Sequence, residues 1–148
     1  MRIIRYRLKE LPELIPELWA LMKHYPVIAL SGELGSGKTT FIRTICQFLE
    51  TNEPASSPTF SLINEYTYRD EEGNLKVIYH ADWYRIKDEE EAIAAGIEDM
   101  LQQENAISII EWPEKAKGLL PEHILTIRFE VEGADARKLL LEETTMAI

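Results

Sequence analysis

The sequence is short of positive charge, of cysteine and of long apolar runs. Its 148 residues carry 16 lysines and arginines against 26 aspartates and glutamates, a formal net charge of -10. This balance argues against general affinity for DNA or RNA backbones, which needs clustered positive charge. The single cysteine, Cys46, excludes an internal disulfide and a cysteine-rich zinc site. No stretch resembles a signal peptide or a membrane span, so we expect one cytoplasmic domain over residues 1–148.

Residues 32–40 read GELGSGKTT and match G-x-x-x-x-G-K-[ST], the pattern of a phosphate-binding loop (P-loop). A short apolar run, Val27 to Leu30, precedes the loop, and apolar residues recur at helical spacing after it. This context, between a buried strand and a helix, is the one in which the pattern holds phosphate. We expect Lys38 to reach the β- and γ-phosphates and Thr39 to bind Mg²⁺. The other predicted nucleotide-binding residues of the loop are Gly32, Gly35, Ser36, Gly37 and Thr40.

A P-loop needs a carboxylate to help hold its metal, usually at the end of a buried strand. Asp82 follows the strand-like run VIYH by one residue, and Glu111 directly follows ISII. We predict that both acids join Lys38 in a catalytic and metal site, and leave open which holds metal and which orients water. Thr59, in the segment SPTF, is a candidate for contact with Mg²⁺ or the γ-phosphate. The alternative is an ordinary loop that leads into a strand.

Three further side chains near these acids have two interpretations each. His80 is either a hydrogen-bonded structural group or a catalyst. Arg85 either pairs with a nearby carboxylate or stabilises charge on the transferring phosphoryl group. Trp112 either stays in packing contacts, beneath the sheet or on a partner surface, or it stacks on a base. We favour the first interpretation in each case.

The expected nucleotide is ATP, because the guanine-reading tetrapeptide [NT]-K-x-D is absent from the sequence. The one D-x-x-G string, at residues 70–73, lies in a polar turn and follows no buried strand. Small-molecule kinases of this type usually carry an arginine-rich lid. Residues 88–100 have the pattern of a lid-like helical insertion, but they are acidic and contain no arginine. A small-molecule kinase and a nucleotide-sensing module without hydrolysis remain the alternative functions.

The chain pattern predicts strands that alternate with helices. Strands are expected at 3–8, 27–30, 60–68, 75–80, 107–110, 124–131 and 137–141, and helices from Pro12 to about Lys23, after the P-loop, at 89–95 and at 99–103. Gly96 is expected to end the helix before it. The order predicts an α/β, three-layer P-loop nucleotide-binding fold. Its mixed, largely parallel sheet has antiparallel additions, with helices on both faces.

Four motifs in order and spacing resemble the TsaE family: GELGSGKTT, SPTF, HADWYR and IEWPE, between Gly32 and Pro113. Its members are small bacterial ATPases required to form threonylcarbamoyladenosine at position 37 of certain tRNAs. The resemblance implies ATP and Mg²⁺ as cofactors and an ATPase that is weak alone. It implies TsaD and TsaB as protein partners, which ATP hydrolysis resets between rounds of modification. The protein would then contact tRNA only indirectly, through that complex, and neither DNA nor a membrane is an expected partner.

The resemblance also assigns site residues by motif position. It places five of them in one nucleotide site: Lys38, Thr39, Thr59, Asp82 and Glu111. This chain departs from the family pattern at Glu33, where aspartate is usual, and at Ala81 and Trp83 within HADWYR. We look for contacts with adenine near the first strand and the turn at 133–137.

Overall fold

The computed structural model describes residues 1–52 and 63–145. Its strands are β1 (Arg2–Arg7), β2 (Val27–Ser31), β3 (Ile63–Arg69), β4 (Leu75–Asp82), β5 (Ala106–Glu111), β6 (His123–Val131) and β7 (Ala136–Thr145). Its helices are α1 (Leu11–Met22), α2 (Lys38–Leu49), α3 (Glu89–Ala94) and α4 (Ile97–Leu101), with 3₁₀ segments at Leu8–Glu10 and Pro113–Leu119. The predicted elements are therefore present in the described residues, and residues 60–62 of the third predicted strand lie outside them.

The seven strands form one sheet in the order β1-β7-β6-β2-β5-β4-β3. The four central strands, β6, β2, β5 and β4, are parallel to one another. The pairs β1–β7, β7–β6 and β4–β3 are antiparallel and form the two edges. The predicted α/β fold, with a mixed sheet and antiparallel additions, is confirmed, and the strand that precedes the P-loop lies at its centre.

Strand β2 shows why the fold has three layers. Its Ile28 and Leu30 pack into a cluster with α1 and α2 on one face of the sheet. Its Val27 packs into a second cluster, with α3, α4 and the 113–119 segment, on the other face. A parallel strand covered on both faces needs a continuous apolar run rather than an alternating one, which is the pattern at 27–30.

Residues 88–100 belong to the second layer instead of forming a lid. Ala92, Ile97 and Met100 pack with Trp83 beneath the sheet. The acidic side chains of residues 88–100 lie on the exposed side of α3 and α4, where net negative charge is solvated. Gly96 follows α3 with φ of +88°, as expected for a glycine that ends a helix. No helix of the described residues has the length and apolar content to cross a membrane.

The loop between β2 and α2 lies against β6. At Gly32, φ is +142°, and an added Cβ would lie 2.8 Å from the carbonyl oxygen of Phe129. The Phe129 ring contacts the Phe41 ring of α2 edge-on, with centroids 5.2 Å apart. Strand β6 therefore positions both the loop and the helix that follows it. Gly35 also has positive φ, at +79°, but a Cβ there meets no atom within 4 Å.

Gly32→Ala is expected to lower the free energy of unfolding by about 3 kcal/mol, because the new methyl group meets backbone at a strained φ. Gly35→Ala is the matched control, and its expected loss is about 1 kcal/mol, from the left-handed backbone alone. Urea unfolding of both variants measures the difference. Equal losses would show that the contact with β6 does not constrain the loop.

Candidate functional site

The P-loop has the local geometry of an anion-binding turn. The Ser36 N–H donates to the Glu33 carbonyl oxygen at 3.1 Å, and Gly37 takes a positive φ of +115° before α2 begins at Lys38. The first backbone N–H groups of a helix have no acceptor within the helix, and they give its N-terminus a partial positive charge. Loop and helix thus direct backbone donors toward a phosphate group.

The Lys38 ammonium is buried at this loop, and the residue is 4% exposed. Its Nζ donates to the Gly32 carbonyl oxygen at 2.6 Å and lies 3.9 Å from the centroid of the Trp112 ring. Burial lowers the pKa of Lys38, and the nearby carboxylates of Glu111 and Asp82 oppose that shift. A phosphate beside Nζ would favour the charged form in the same way as these carboxylates do.

The two predicted acids lie side by side. Asp82 and Glu111 are register partners at the ends of β4 and β5, and Glu111 is also opposite Leu30 of β2. Glu111 is 4% exposed, whereas Asp82 is exposed and accepts from the Tyr84 N–H. Because the carboxyl ends of parallel strands meet at one edge of the sheet, both acids lie on the side where the P-loop begins. The structure thus brings together Lys38, Asp82 and Glu111.

His80 forms a close contact with Glu111. Its Nε2 lies 2.7 Å from the Glu111 Oε2, and the side chain of Glu111 is 5% exposed and that of His80 13%. Since an ionised carboxylate only accepts, the imidazole N–H is the donor. The hydrogen bond expected of His80 is present, and its partner is one of the two predicted acids. This bond uses one carboxylate oxygen of Glu111 and fixes the orientation of the other.

The donor set near the loop fits Mg²⁺. Within residues 1–52 and 63–145, no three His, Cys, Asp or Glu side chains cluster as a protein-only metal site. Magnesium usually binds through one or two carboxylates together with phosphate oxygens and waters. Asp82, Glu111 and the exposed Thr39 hydroxyl on the first turn of α2 are oxygen donors of this kind.

A cavity of about 510 Å³ runs along α2 from Thr39 and His80 to Cys46 and Tyr66. A cavity of about 720 Å³ lies at the other end of α2, beside Glu50 and the β3–β4 turn, and none of the predicted site residues lines it. The chemistry of the lining residues, and not cavity size, therefore places the candidate site at the P-loop.

The remaining predicted residues have varied outcomes. Trp112 packs against Tyr84, with ring centroids 5.1 Å apart, and its backbone is left-handed with φ of +59°. Trp112 therefore has the packing contact that was favoured for it, and Lys38 is a second contact that was not foreseen. Arg85 is exposed, and within the described part of the chain no ion pair includes it, so the favoured pairing with a nearby carboxylate is not found there. Thr40 is exposed on α2, and Thr59 lies outside the described residues.

One contact with the loop was missed by sequence reasoning. Arg137 of β7 donates from Nε to the Ser36 carbonyl oxygen at 3.0 Å, across 101 residues of chain. The 133–137 turn was expected to contact adenine, and its bond to the P-loop backbone was not predicted. Residues 133–137 weakly resemble the family pattern, but a short match of this kind does not say which distant atom the arginine contacts.

Comparisons with known proteins agree with the four motifs. The family model described as "Threonylcarbamoyl adenosine biosynthesis protein TsaE" matches residues 6–139. The tRNA threonylcarbamoyladenosine biosynthesis protein TsaE of Haemophilus influenzae is 36% identical over 121 residues, which cover 81% of this chain and 72% of the relative. Its namesake in Bacillus subtilis is 33% identical over 120 residues, which cover 81% and 71%.

A solved structure supports the fold. The crystal structure of Bacillus subtilis YdiB superposes with a TM-score of 0.66 and 23% identity, over 98% of this chain and 87% of that one. Its likeness bears on the fold alone, whereas the family match rests on the sequence. From the extent of the family match and the identity to its relatives, the chain belongs to the TsaE family of threonylcarbamoyladenosine biosynthesis proteins.

Proposed function

We propose that this protein binds ATP with Mg²⁺ and hydrolyses it as an accessory subunit of tRNA threonylcarbamoyladenosine biosynthesis. The observation that carries the proposal is the pairing of Asp82 with Glu111 beside the buried Lys38. A single acid after a strand is common on protein surfaces. Two acids in register, next to a phosphate-binding loop and its lysine, form the set that phosphoryl transfer uses.

The proposed division of labour follows from exposure and hydrogen bonding. The loop N–H groups and Lys38 hold the β- and γ-phosphates, and Thr39 and the exposed Asp82 supply metal ligands. The bound Mg²⁺ would neutralise charge on the phosphate oxygens. Glu111 is buried and oriented by His80, so we assign to it the task of positioning the attacking water. A fixed carboxylate suits that task because the water must be held in line with the transferred group.

We further propose TsaB and TsaD as the partners, with ATP hydrolysis resetting their complex between rounds of modification. The net charge of -10 disfavours direct binding of the tRNA backbone, so we assign tRNA binding to another subunit. At the rim of the site, Leu34 at the loop tip is 65% exposed and Tyr84 is 44% exposed. Apolar and aromatic side chains of this kind favour contact with a protein surface. A partner bound there would lie next to the nucleotide and respond to its state.

Substitutions separate binding from hydrolysis. Lys38→Ala is expected to weaken ATP binding about 10- to 100-fold, because it removes a charged donor to the phosphates. Glu111→Ala is expected to leave the Kd for ATP nearly unchanged and to slow hydrolysis about a hundredfold. Isothermal titration and single-turnover ADP formation measure the two effects. Lys76→Ala, at a half-buried position, and Glu142→Ala, at an exposed one, are the matched controls away from the loop. Unchanged hydrolysis in the Glu111 variant would remove that residue from the mechanism.

Partner dependence tests the accessory role. Steady-state ADP release is expected to be slow for the protein alone and several-fold faster once TsaB and TsaD are added together. The Lys38→Ala variant, mixed with the same partners, should show no such rise. Tight ATP binding without ADP, even with both partners present, would instead indicate a nucleotide sensor. A phosphorylated metabolite formed in step with ADP would indicate a small-molecule kinase.

A further inference from the structure

Arg137 connects the last strand of the sheet to the P-loop. The residue is 8% exposed, although it carries a permanent charge. Its Nη1 donates to the carbonyl oxygens of Gly133 and Ala136, each at 2.9 Å, and its Nε donates to the Ser36 carbonyl oxygen. Two bonds therefore anchor the guanidinium to its own turn, and the third reaches the loop.

The bond to Ser36 fixes more than one atom of the loop. In a trans peptide unit the carbonyl oxygen and the following N–H point in opposite directions. Holding the Ser36 carbonyl toward Arg137 therefore turns the Gly37 N–H away from Arg137. Glycine itself does not select this orientation, because it adopts positive and negative φ with similar ease. The direction of the Gly37 donor thus depends on the contact with β7.

The surroundings hold the arginine in this position. Tyr6 of β1 is the register partner of Arg137, so both side chains project on the same face of the sheet. A Cβ added at Gly37 would lie 4.0 Å from the Tyr6 hydroxyl and 4.0 Å from the Arg137 Nε. Gly37 is therefore bordered by both side chains, and the guanidinium is packed between its turn and the loop.

We propose that Arg137 is a positioning residue, which holds the Ser36–Gly37 peptide in the orientation that binds phosphate. This inference rests on the proposed binding of ATP at the same loop. Arg137 acts through the backbone of the loop and needs no contact with the nucleotide. Its loss therefore weakens the binding of every ligand that uses the loop donors, whether or not that ligand carries a base.

Charge and geometry are separable at this position. Arg137→Lys keeps a positive charge but donates from a single atom, so it cannot reproduce the fork that joins the turn to Ser36. Arg137→Met keeps most of the side-chain length and removes both charge and donors. Lys138→Met is the matched control, since Lys138 is the next residue on β7 and pairs with Glu130 instead.

The test compares two probes, Mg–ADP and Mg–pyrophosphate, by isothermal titration well below the melting temperature of each variant. Arg137→Met is expected to raise the Kd for both probes by the same factor, about tenfold or more. Arg137→Lys is expected to recover only part of that loss for both probes, and Lys138→Met to bind like the wild type. Should Arg137→Met fail to fold, the Kd values of Arg137→Lys for the two probes, compared with those of the wild type, test the proposal instead.

Five results would overturn the proposal. A folded Arg137 variant with a lower melting temperature and unchanged Kd values would show a purely structural role. Loss of Mg–ADP affinity with unchanged Mg–pyrophosphate affinity would show direct contact with the nucleoside. Full recovery in Arg137→Lys would show that charge alone matters. Wild-type protein that binds neither probe would remove the proposed function and this inference with it. A Lys38→Ala variant that binds both probes as tightly as the wild type would do the same.

Discussion

The backbone hydrogen bonds that join β2, β5 and β4 determine where the charged groups of the site lie. Their parallel register places Leu30, Glu111 and Asp82 in one row at the carboxyl edge of the sheet. A shift of one residue in β5 would turn Glu111 to the opposite face, toward the layer of α3 and α4. The apolar residues before each acid prevent such a shift, because they would lose their places in the two cores. Packing of the core and placement of the acids are thus one constraint.

This placement brings ionisable groups out of water, at a cost in free energy. A buried charge is tolerated only where other groups compensate it. Lys38 is compensated by a loop carbonyl, the Trp112 ring and the nearby carboxylates. Glu111 is compensated by His80. The site therefore keeps its charges fixed without a ligand, which would reduce the reorganisation that the proposed binding and hydrolysis require.

The sequence predicted those parts of the molecule that follow from local pattern. The P-loop, the strands and the acids at the ends of β4 and β5 were predicted from short runs and their spacing, and the structure brings them together. The lid-like interpretation of residues 88–100 was wrong, because their apolar side chains cover the second face of the sheet. Helical spacing alone does not say which surface a helix covers.

Two features of the site were not predicted at all. The left-handed backbone of Trp112 has no sequence signal, since this conformation is usual for glycine and asparagine. The bond from Arg137 to Ser36 depends on the neighbouring positions of β1, β7 and β6 in the finished sheet. Thr59 stays a prediction, because it lies outside the described residues.

The contact between Arg137 and Ser36 also has a consequence for biosynthesis. The ribosome releases the P-loop early, but the arginine that bonds to it follows 101 residues later. Strand β2 likewise needs β5 and β6 as neighbours, and both come from the second half of the chain. Contacts of such sequence separation form late, because closing long loops costs entropy before any bond is gained. A nascent chain therefore carries the complete P-loop sequence well before it carries the sheet that shapes it, so unfinished chains lack the site proposed to bind nucleotide.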